Sequence, residues 1–104
     1  MARFNVYGHP EAAMRKFTPF LLDVQNEFID GLDTRAVIPL RTASLYRSRL
    51  RDLNPVFEVA GKSVVLDAAA IAAFPAQALG ASVGSLAAHR EDIVAAMDCL
   101  FGAY

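Results

Sequence analysis

The stretch between residues 20 and 40, FLLDVQNEFIDGLDTRAVIPL, constrains the fold of this chain more than any other part of the sequence. It predicts two β-strands, at residues 20–25 and 35–40, because apolar side chains recur at every second position. In the first strand Phe20, Leu22 and Val24 are expected on one face, with Asp23 and Gln25 on the other. In the second strand Ala36, Ile38 and Leu40 are expected on one face, with Val37 on the opposite face. Two strands around a central loop are therefore the first expectation.

The loop between these strands, residues 26–33, is acidic but also contains an apolar pair, Phe28 and Ile29. Its acids are Glu27, Asp30 and Asp33. Gly31 provides a position at which the backbone can turn with positive φ at no steric cost. This composition predicts an apolar pair that faces outward. The alternative is that the pair folds into the core or into a subunit interface.

The same stretch carries a resemblance to a known family. Asp23-Val24-Gln25, Phe28-Ile29-Asp30, and Thr34-Arg35 followed by Val37-Ile38-Pro39-Leu40 resemble the CcdB family of bacterial toxins, which poison DNA gyrase. The resemblance extends to residues 4–7, 53–59 and 86–104, and so covers nearly the whole chain. It implies a mostly β fold with one α-helix: a small SH3-like barrel of the CcdB/MazF/Kid class with a C-terminal helix.

The composition is that of a folded domain, because 55% of the 104 residues are hydrophobic and 20% are charged. This length predicts a single domain, residues 1–104, with one core. The surplus of apolar residues predicts that some apolar surface is buried between subunits. A formal net charge of −1 argues against a general nucleic-acid or membrane binder, which needs a basic excess.

Cysteine content and hydropathy define the expected compartment. The single cysteine, Cys99, excludes an internal disulfide framework and a cysteine-based zinc site. No apolar run near the N-terminus is long enough for a signal peptide, and no later run is long enough to span a bilayer. A cytoplasmic protein that does not associate with membranes is the expectation.

Periodicity and turn residues predict the elements outside the central stretch. Residues 3–7 alternate like a strand, and residues 41–53 permit a short amphipathic helix. Residues 55–60 and 63–67 predict a hairpin around a Gly61-Lys62 turn. Phe57 and Val59 are expected to share one face, as are Val64 and Leu66. Pro39 predicts that the second strand of the central stretch lies at an edge or contains a bulge.

The C-terminal third predicts one long helix. Residues 85–101 have helical periodicity, with Ser85 as the N-cap and Gly102 as the C-cap. The expected core stripe is Leu86, Ile93, Ala96, Met97, Leu100 and Phe101. Before this helix, residues 80–84 are predicted as a turn. The alanine-rich residues 68–73 favour a helix ended by Phe74-Pro75, whereas the resemblance implies a strand there.

No constellation of residues predicts catalysis, a metal site or a cofactor. His9 and His89 each lack a second ligand at metal spacing, and about 15 Å of helix separates His89 from Cys99. The acids of loop 26–33 lack the spacing of a calcium loop. The barrel class also includes toxins that cut RNA. Arg35 or the arginines at 47–51 could supply the cation for that reaction, but no matching base is identifiable.

The resemblance implies a gyrase-binding surface formed by the loop after the second strand and by the end of the last helix with its tail. The matching residues are Gln25, Asn26, Phe28, Ile29, Asp98, Leu100, Gly102, Ala103 and Tyr104. In the best-known member of the family the chain ends with an aromatic residue, a glycine and an aliphatic residue, and this ending is needed for poisoning, whereas other members tolerate a small residue in place of the aromatic one. Aligned without a gap, Gly102 replaces the aromatic residue. Shifted by one position, Phe101-Gly102-Ala103 reproduces the pattern with Tyr104 added.

An arginine-rich segment is the second candidate binding region. Residues 41–53 contain Arg41, Arg47, Arg49 and Arg51, with no acid before Asp52. The simplest interpretation is a solvated face of a short helix or loop. The functional interpretation is that Arg47, Arg49 and Arg51 receive an acidic, flexible segment of an antitoxin, or a phosphate backbone.

The resemblance implies the toxin of a type II toxin–antitoxin system of the plasmid-maintenance kind. As a homodimer it would bind the gyrase A subunit, trap gyrase on cleaved DNA and catalyse no reaction. A CcdA-like antitoxin would neutralise it, and the complex would repress its own operon, so operator DNA is an expected partner only through that complex. The alternatives are an mRNA-cleaving toxin of the same barrel class, or a member that no longer poisons gyrase and serves only in operon regulation.

Overall fold

One antiparallel sheet forms the centre of the computed structural model, which describes residues 2–29 and 31–102. Within those residues the strands are β1 (Asn5–Gly8), β2 (Phe20–Asp23), β3 (Thr34–Thr42), β4 (Val56–Val59), β5 (Lys62–Leu66), β6 (Ala72–Pro75) and β7 (Ser82–Ser85). They lie in the order β4-β5-β3-β2-β1-β7, and β6 pairs with β3. A C-terminal helix, α1 (Arg90–Phe101), follows β7. The sheet is curled into a half-barrel, which confirms the predicted mostly β fold with one terminal helix.

The longest strand, β3, has three partners along its length. Residues 37–40 pair with β2, residues 34–37 with β6, and residues 40–42 with β5. Pro39 lies where the outer partner changes from β6 to β5. Its carbonyl accepts a hydrogen bond from Asp67 N (3.0 Å) on that side, so the missing N–H falls at the change of partner. The prediction of an edge or bulge is therefore wrong: β3 is central.

The alternation predicted for residues 20–40 is confirmed, and it divides the core into two clusters. The larger cluster packs one face of the sheet against α1. It includes Phe20, Leu22, Val24, Ile38 and Leu40 from the central stretch, together with Ile93 and Ala96 from the helix. On the opposite face, Leu21 and Val37 pack with Tyr7 and Leu79. Both faces of the β2–β3 pair are therefore buried, so these two strands anchor the rest of the fold.

The predicted helix at residues 41–53 is wrong. Strand β3 continues through Thr42, a 3₁₀ turn follows at Ala43–Leu45, and the chain then reaches β4 without an α-helix. Side-chain hydrogen bonds to Asp67, the residue that follows β5, fix the conformation of this segment. Arg41 Nε donates to Asp67 Oδ2 (3.0 Å), and the Tyr46 hydroxyl donates to Asp67 Oδ1 (3.1 Å). These contacts outweigh a weak helical periodicity.

Two further predictions from local composition are wrong. Residues 68–73 contain only a 3₁₀ turn at Ala68–Ala70, followed by β6, as the resemblance implies. Residues 80–84 do not form a simple turn, because Ser82–Ser85 is strand β7 and pairs with β1. In both cases backbone pairing with a neighbouring strand overrides the propensity of short alanine-rich or serine-rich segments.

The predicted hairpin is confirmed with its turn one residue earlier. Strands β4 and β5 pair with Val59 opposite Lys62, so the turn residues are Ala60 and Gly61. Their φ angles of 50° and 77° are both left-handed, as the tightest right-twisted hairpin requires. The inner-face residues Phe57, Val59, Val64 and Leu66 are all buried.

The last helix begins later than predicted and ends where predicted. Ser85 closes β7, and its hydroxyl accepts a hydrogen bond from Ala87 N (3.1 Å) without capping α1. Gly102 ends the helix in a left-handed conformation, φ 75° and ψ 36°, which confirms it as the C-cap. Phe101 is 66% exposed, so its predicted place in the core stripe is wrong. No helix in the described part of the chain is long and apolar enough to cross a membrane.

Candidate functional site

Loop 26–33 exposes a cluster of large apolar side chains. Phe28 is 92% exposed, Leu32 55% and Ile29 46%. The alternative that Phe28 and Ile29 fold into the core is therefore wrong. Leu32 was missed by the sequence analysis, although an apolar residue among acids is the same signal that singled out the pair. Exposed apolar residues concentrated in one loop indicate a surface that binds another molecule.

Hydrogen bonds to neighbouring backbone groups set the shape of this loop. Asn26 Oδ1 accepts from Phe28 N and Asn26 O accepts from Ile29 N, each at 3.0 Å, which forms a tight turn under the apolar pair. Gln25 is only 9% exposed. Its Oε1 accepts from Ala36 N (3.0 Å) and its Nε2 donates to Ile29 O (3.3 Å). The two polar residues that open the loop thus bond to the protein's own backbone.

A buried ion pair lies directly beneath the loop. Asp23 is fully buried and Arg35 is 5% exposed. Arg35 Nε donates to Asp23 Oδ2 (2.8 Å), Nη2 lies 2.7 Å from the same oxygen, and Asp23 Oδ1 accepts from Gln25 N (3.0 Å). The Nη2 contact lacks hydrogen-bond geometry and is therefore a Coulombic contact. No pattern in the sequence indicated this pair, whose members are twelve residues apart.

The N-terminal residues Arg3 and Phe4 connect the end of β2 with the start of α1. Phe4 N donates to Asp23 O (2.6 Å), and Phe4 O accepts from Leu86 N (2.8 Å). The buried Phe4 ring lies 4.8 Å from the Arg3 guanidinium and 5.7 Å from that of Arg90. Phe4 has a φ of 71°, which is unusual for a bulky side chain and needs this surrounding structure to hold it.

The helix-end residues named in the sequence analysis differ in exposure. Asp98 and Leu100 are half-buried, whereas Gly102 is exposed and donates its N–H to Asp98 O. The end of α1 lies about 16 Å along the helix axis from Arg90, at 1.5 Å per residue. Ala103 and Tyr104 lie outside the described residues. A common surface of loop 26–33 and the helix end therefore stays a prediction.

The arginine-rich segment forms an extended loop, residues 43–55, called the arginine loop below. Arg47, Arg49 and Arg51 are all exposed. Arg49 Nε donates to Asn54 O (2.9 Å). Leu45 and Leu50 are 42% and 62% exposed beside the arginines. This surface is basic and partly apolar, which suits an acidic segment that also carries apolar side chains.

Arg41 does not belong to that exposed surface. Besides its contact with Asp67, its Nη1 donates to Thr18 Oγ1 (2.7 Å), and its guanidinium lies 5.1 Å from the Phe17 ring.

Burial, together with the nearby Asp67 carboxylate, raises the pKa of Tyr46 above its usual value. Among residues 2–29 and 31–102, no three side chains of the His, Cys, Asp and Glu types come together as a metal site.

A curled antiparallel sheet packed against a single C-terminal helix, with an exposed apolar loop, defines a small half-barrel domain. The family model described as CcdB protein matches residues 3–102, and the chain belongs to the CcdB family. The resemblance recognised in the sequence is thereby confirmed. The family places the protein among the toxins of toxin–antitoxin systems, of the gyrase-poison type.

Proposed function

We propose that this protein is a type II toxin that, as a homodimer, binds the gyrase A subunit and holds gyrase on cleaved DNA. The observation that carries the proposal is Phe28, which is 92% exposed on a loop held by the buried residues Gln25 and Asp23. A large aromatic side chain on a well-fixed loop can enter a partner's pocket at little conformational cost, as hot-spot residues do.

The rest of the proposed gyrase surface comes from Asn26 and Ile29 in the loop and from the end of α1. Gln25, the other loop residue that the resemblance implies, is only 9% exposed and is left out of the proposed contacts. The helix-end contributors are Asp98, Leu100, Gly102, Ala103 and Tyr104. An exposed Phe101 followed by a left-handed Gly102 favours the alignment in which Phe101 stands for the family's terminal aromatic residue. We therefore add Phe101 to the proposed contacts.

The arginine loop is the proposed docking site of the antitoxin. Arg47, Arg49 and Arg51 attract an acidic segment from a distance, and Leu45 and Leu50 offer apolar contacts once it has docked. Displacement of the toxin from gyrase, repression of the operon by the toxin–antitoxin complex, and a cytoplasmic location complete the proposal.

This proposal requires binding energy and no bond-making chemistry. The RNA-cleaving alternative needs a cation beside the reacting phosphate. Arg35, one candidate for that role, is 5% exposed and paired with Asp23, which argues against its reaching RNA. Arg47, Arg49 and Arg51 are exposed and could still supply that cation, so it is the family match together with the exposed Phe28 that favours the gyrase proposal over the nuclease.

Induced expression in a host with and without a gyrase A hinge mutation tests the proposal. Growth should stop in the first strain, with gyrase-linked DNA breaks, and continue in the second. Growth arrest in both strains, with cut messenger RNA and intact supercoiling, would show a nuclease instead. No arrest in either strain would show a member that acts only with its antitoxin.

A further inference from the structure

We propose that Gln25 is a positioning residue: its side chain holds the apolar pair of loop 26–33 outward and makes no contact with gyrase. The effect on gyrase binding rests on the function proposed above, whereas the effect on the loop does not. The β2–β3 ladder ends at Asp23 opposite Val37.

The next pair beyond the ladder makes only half of its regular hydrogen bonds. Val24 N donates to Ala36 O (3.0 Å), and in a regular antiparallel pair Ala36 N would donate back to Val24 O. Instead, Ala36 N donates to Gln25 Oε1 (3.0 Å), and Val24 O accepts from Arg3 Nε (3.1 Å). The Gln25 carboxamide therefore substitutes for the Val24 carbonyl as the acceptor of the Ala36 N–H.

The other end of the same carboxamide reaches across the loop. Gln25 Nε2 donates to Ile29 O (3.3 Å). One planar amide therefore links Ile29 to Ala36, which lies near the start of β3. With the Ile29 carbonyl directed inward, the turn from Asn26 to Ile29 carries the Phe28 side chain outward. Backbone substitution of this kind fixes a loop without regular secondary structure.

Gln25 itself is fixed from below. Its N–H donates to Asp23 Oδ1 (3.0 Å), and Asp23 is held by Arg35 through Oδ2. The buried Asp23–Arg35 pair therefore orients Gln25, and Gln25 in turn orients loop 26–33. Only 9% of Gln25 is exposed, so little of its side chain is accessible to a partner.

Amide hydrogen exchange of the toxin alone tests the clamp. Gln25→Met keeps the size of the side chain and removes both hydrogen bonds. We expect exchange at Ala36 N–H and Ile29 N–H to accelerate roughly tenfold, with Val64 in β5 unchanged. Glu27→Gln, an exposed change in the same loop, is the control and should leave all three amides unaltered. Unchanged exchange at Ala36 in Gln25→Met would overturn the proposal.

A double-mutant cycle on the affinity for the gyrase A breakage–reunion domain separates positioning from contact. If Gln25 acts through the apolar pair, Gln25→Met should weaken binding by roughly tenfold in the native loop but by less than about twofold in a Phe28→Ala background. If Gln25→Met weakens gyrase binding by the same factor in both backgrounds, Gln25 contacts gyrase directly and the proposal is overturned.

A third measurement uses the unaltered protein and so does not depend on the folding of any variant. The NMR signals of the Gln25 side-chain amide should keep their positions when the gyrase domain is added, while the backbone signals of Phe28 shift. A large shift of the Gln25 amide would overturn the proposal. If the unaltered toxin does not bind gyrase at all, the function proposed above fails, and the exchange experiment still decides whether the clamp exists.

Discussion

Loop 26–33 and the arginine loop are held in a similar way and carry opposite charge. Each exposes large apolar side chains and is tied to the sheet by one buried amide, Gln25 in the first and Asn54 in the second. Asn54 Oδ1 accepts from Leu50 N (2.9 Å), and its Nδ2 donates to Leu66 O (3.0 Å). A carboxamide supplies a donor and an acceptor together, so it can fix a loop that has no ladder of its own.

The charges of the two loops imply different partners. Loop 26–33 carries Glu27 and Asp33 around its apolar cluster, whereas the arginine loop carries Arg47, Arg49 and Arg51. Charge decides which partner approaches quickly, and buried apolar anchors decide how tightly it stays. The comparison therefore predicts that damage to one loop affects gyrase binding and damage to the other affects antitoxin binding.

The largest expected effect concerns the ion pairs beneath the two loops. Asp23→Ala leaves the buried Arg35 without its partner and should lower the free energy of unfolding by about 3–5 kcal/mol. Asp67→Ala, which removes the partner of the more exposed Arg41, should cost about 1–2 kcal/mol. Urea unfolding of both variants measures the difference. An equal decrease in the free energy of unfolding in both variants would show that the two ion pairs stabilise the protein equally, which would contradict this comparison.

The next effect concerns Asn54. Asn54→Ala leaves Leu50 N and Leu66 O without their side-chain partners and should lower the free energy of unfolding by about 2 kcal/mol. Its affinity for the antitoxin should fall while its affinity for the gyrase A domain stays the same, and calorimetric titration with each partner measures both. Asn26→Ala removes a side-chain amide from loop 26–33 and is the control: its affinity for the antitoxin should not change. An equal loss of both affinities in Asn54→Ala would contradict a division of labour between the loops.

Charge reversal in the arginine loop should act mainly on rate. Changing Arg47, Arg49 and Arg51 together to Glu should slow antitoxin association by about tenfold or more at low salt, and by much less at high salt. Stopped-flow measurement over a range of salt concentrations follows the effect. Reversing Glu27 and Asp33 to Lys is the matched change on the other loop and should not slow the antitoxin. An unchanged rate after the arginine reversal would remove this docking site.

The smallest expected effect is a pH dependence of stability that involves neither loop. Burial lowers the pKa of His9 below the usual 6.5, although the nearby Glu11 opposes this shift. The unfolded chain then binds the proton at higher pH than the native protein does, so stability is complete above 6.5 and declines as the pH falls through the lowered pKa. His9→Gln should flatten the unfolding free energy between pH 7 and about 5. A slope that persists in His9→Gln would assign it to other groups.

The sequence predicted the elements whose side-chain pattern matches their burial. The strands of residues 20–40, the β4–β5 hairpin and the Gly102 cap all follow from alternation or from a residue with special backbone freedom. Strands β6 and β7 could not be predicted in this way, because their alanines and serines carry no apolar alternation. These strands form because β3 and β1 offer unpaired backbone groups.

The candidate site was predictable only in part, for a related reason. An apolar pair among acids indicated the exposure of Phe28 and Ile29 from composition alone. The inward direction of Gln25 depends on a hydrogen bond to Ala36, eleven residues away, and the exposure of Phe101 depends on how α1 packs. Such contacts are properties of the folded chain, and no local pattern encodes them.

The affinity of the gyrase A breakage–reunion domain for the unaltered toxin and for the Phe28→Ala, Ile29→Ala double variant tests the central claim most directly. Isothermal titration should show binding of the unaltered protein and a loss of at least about a hundredfold in the variant. Because both side chains are exposed, the free energy of unfolding should change by less than about 0.5 kcal/mol. No binding by the unaltered toxin, or equal affinity in the variant, would contradict the account.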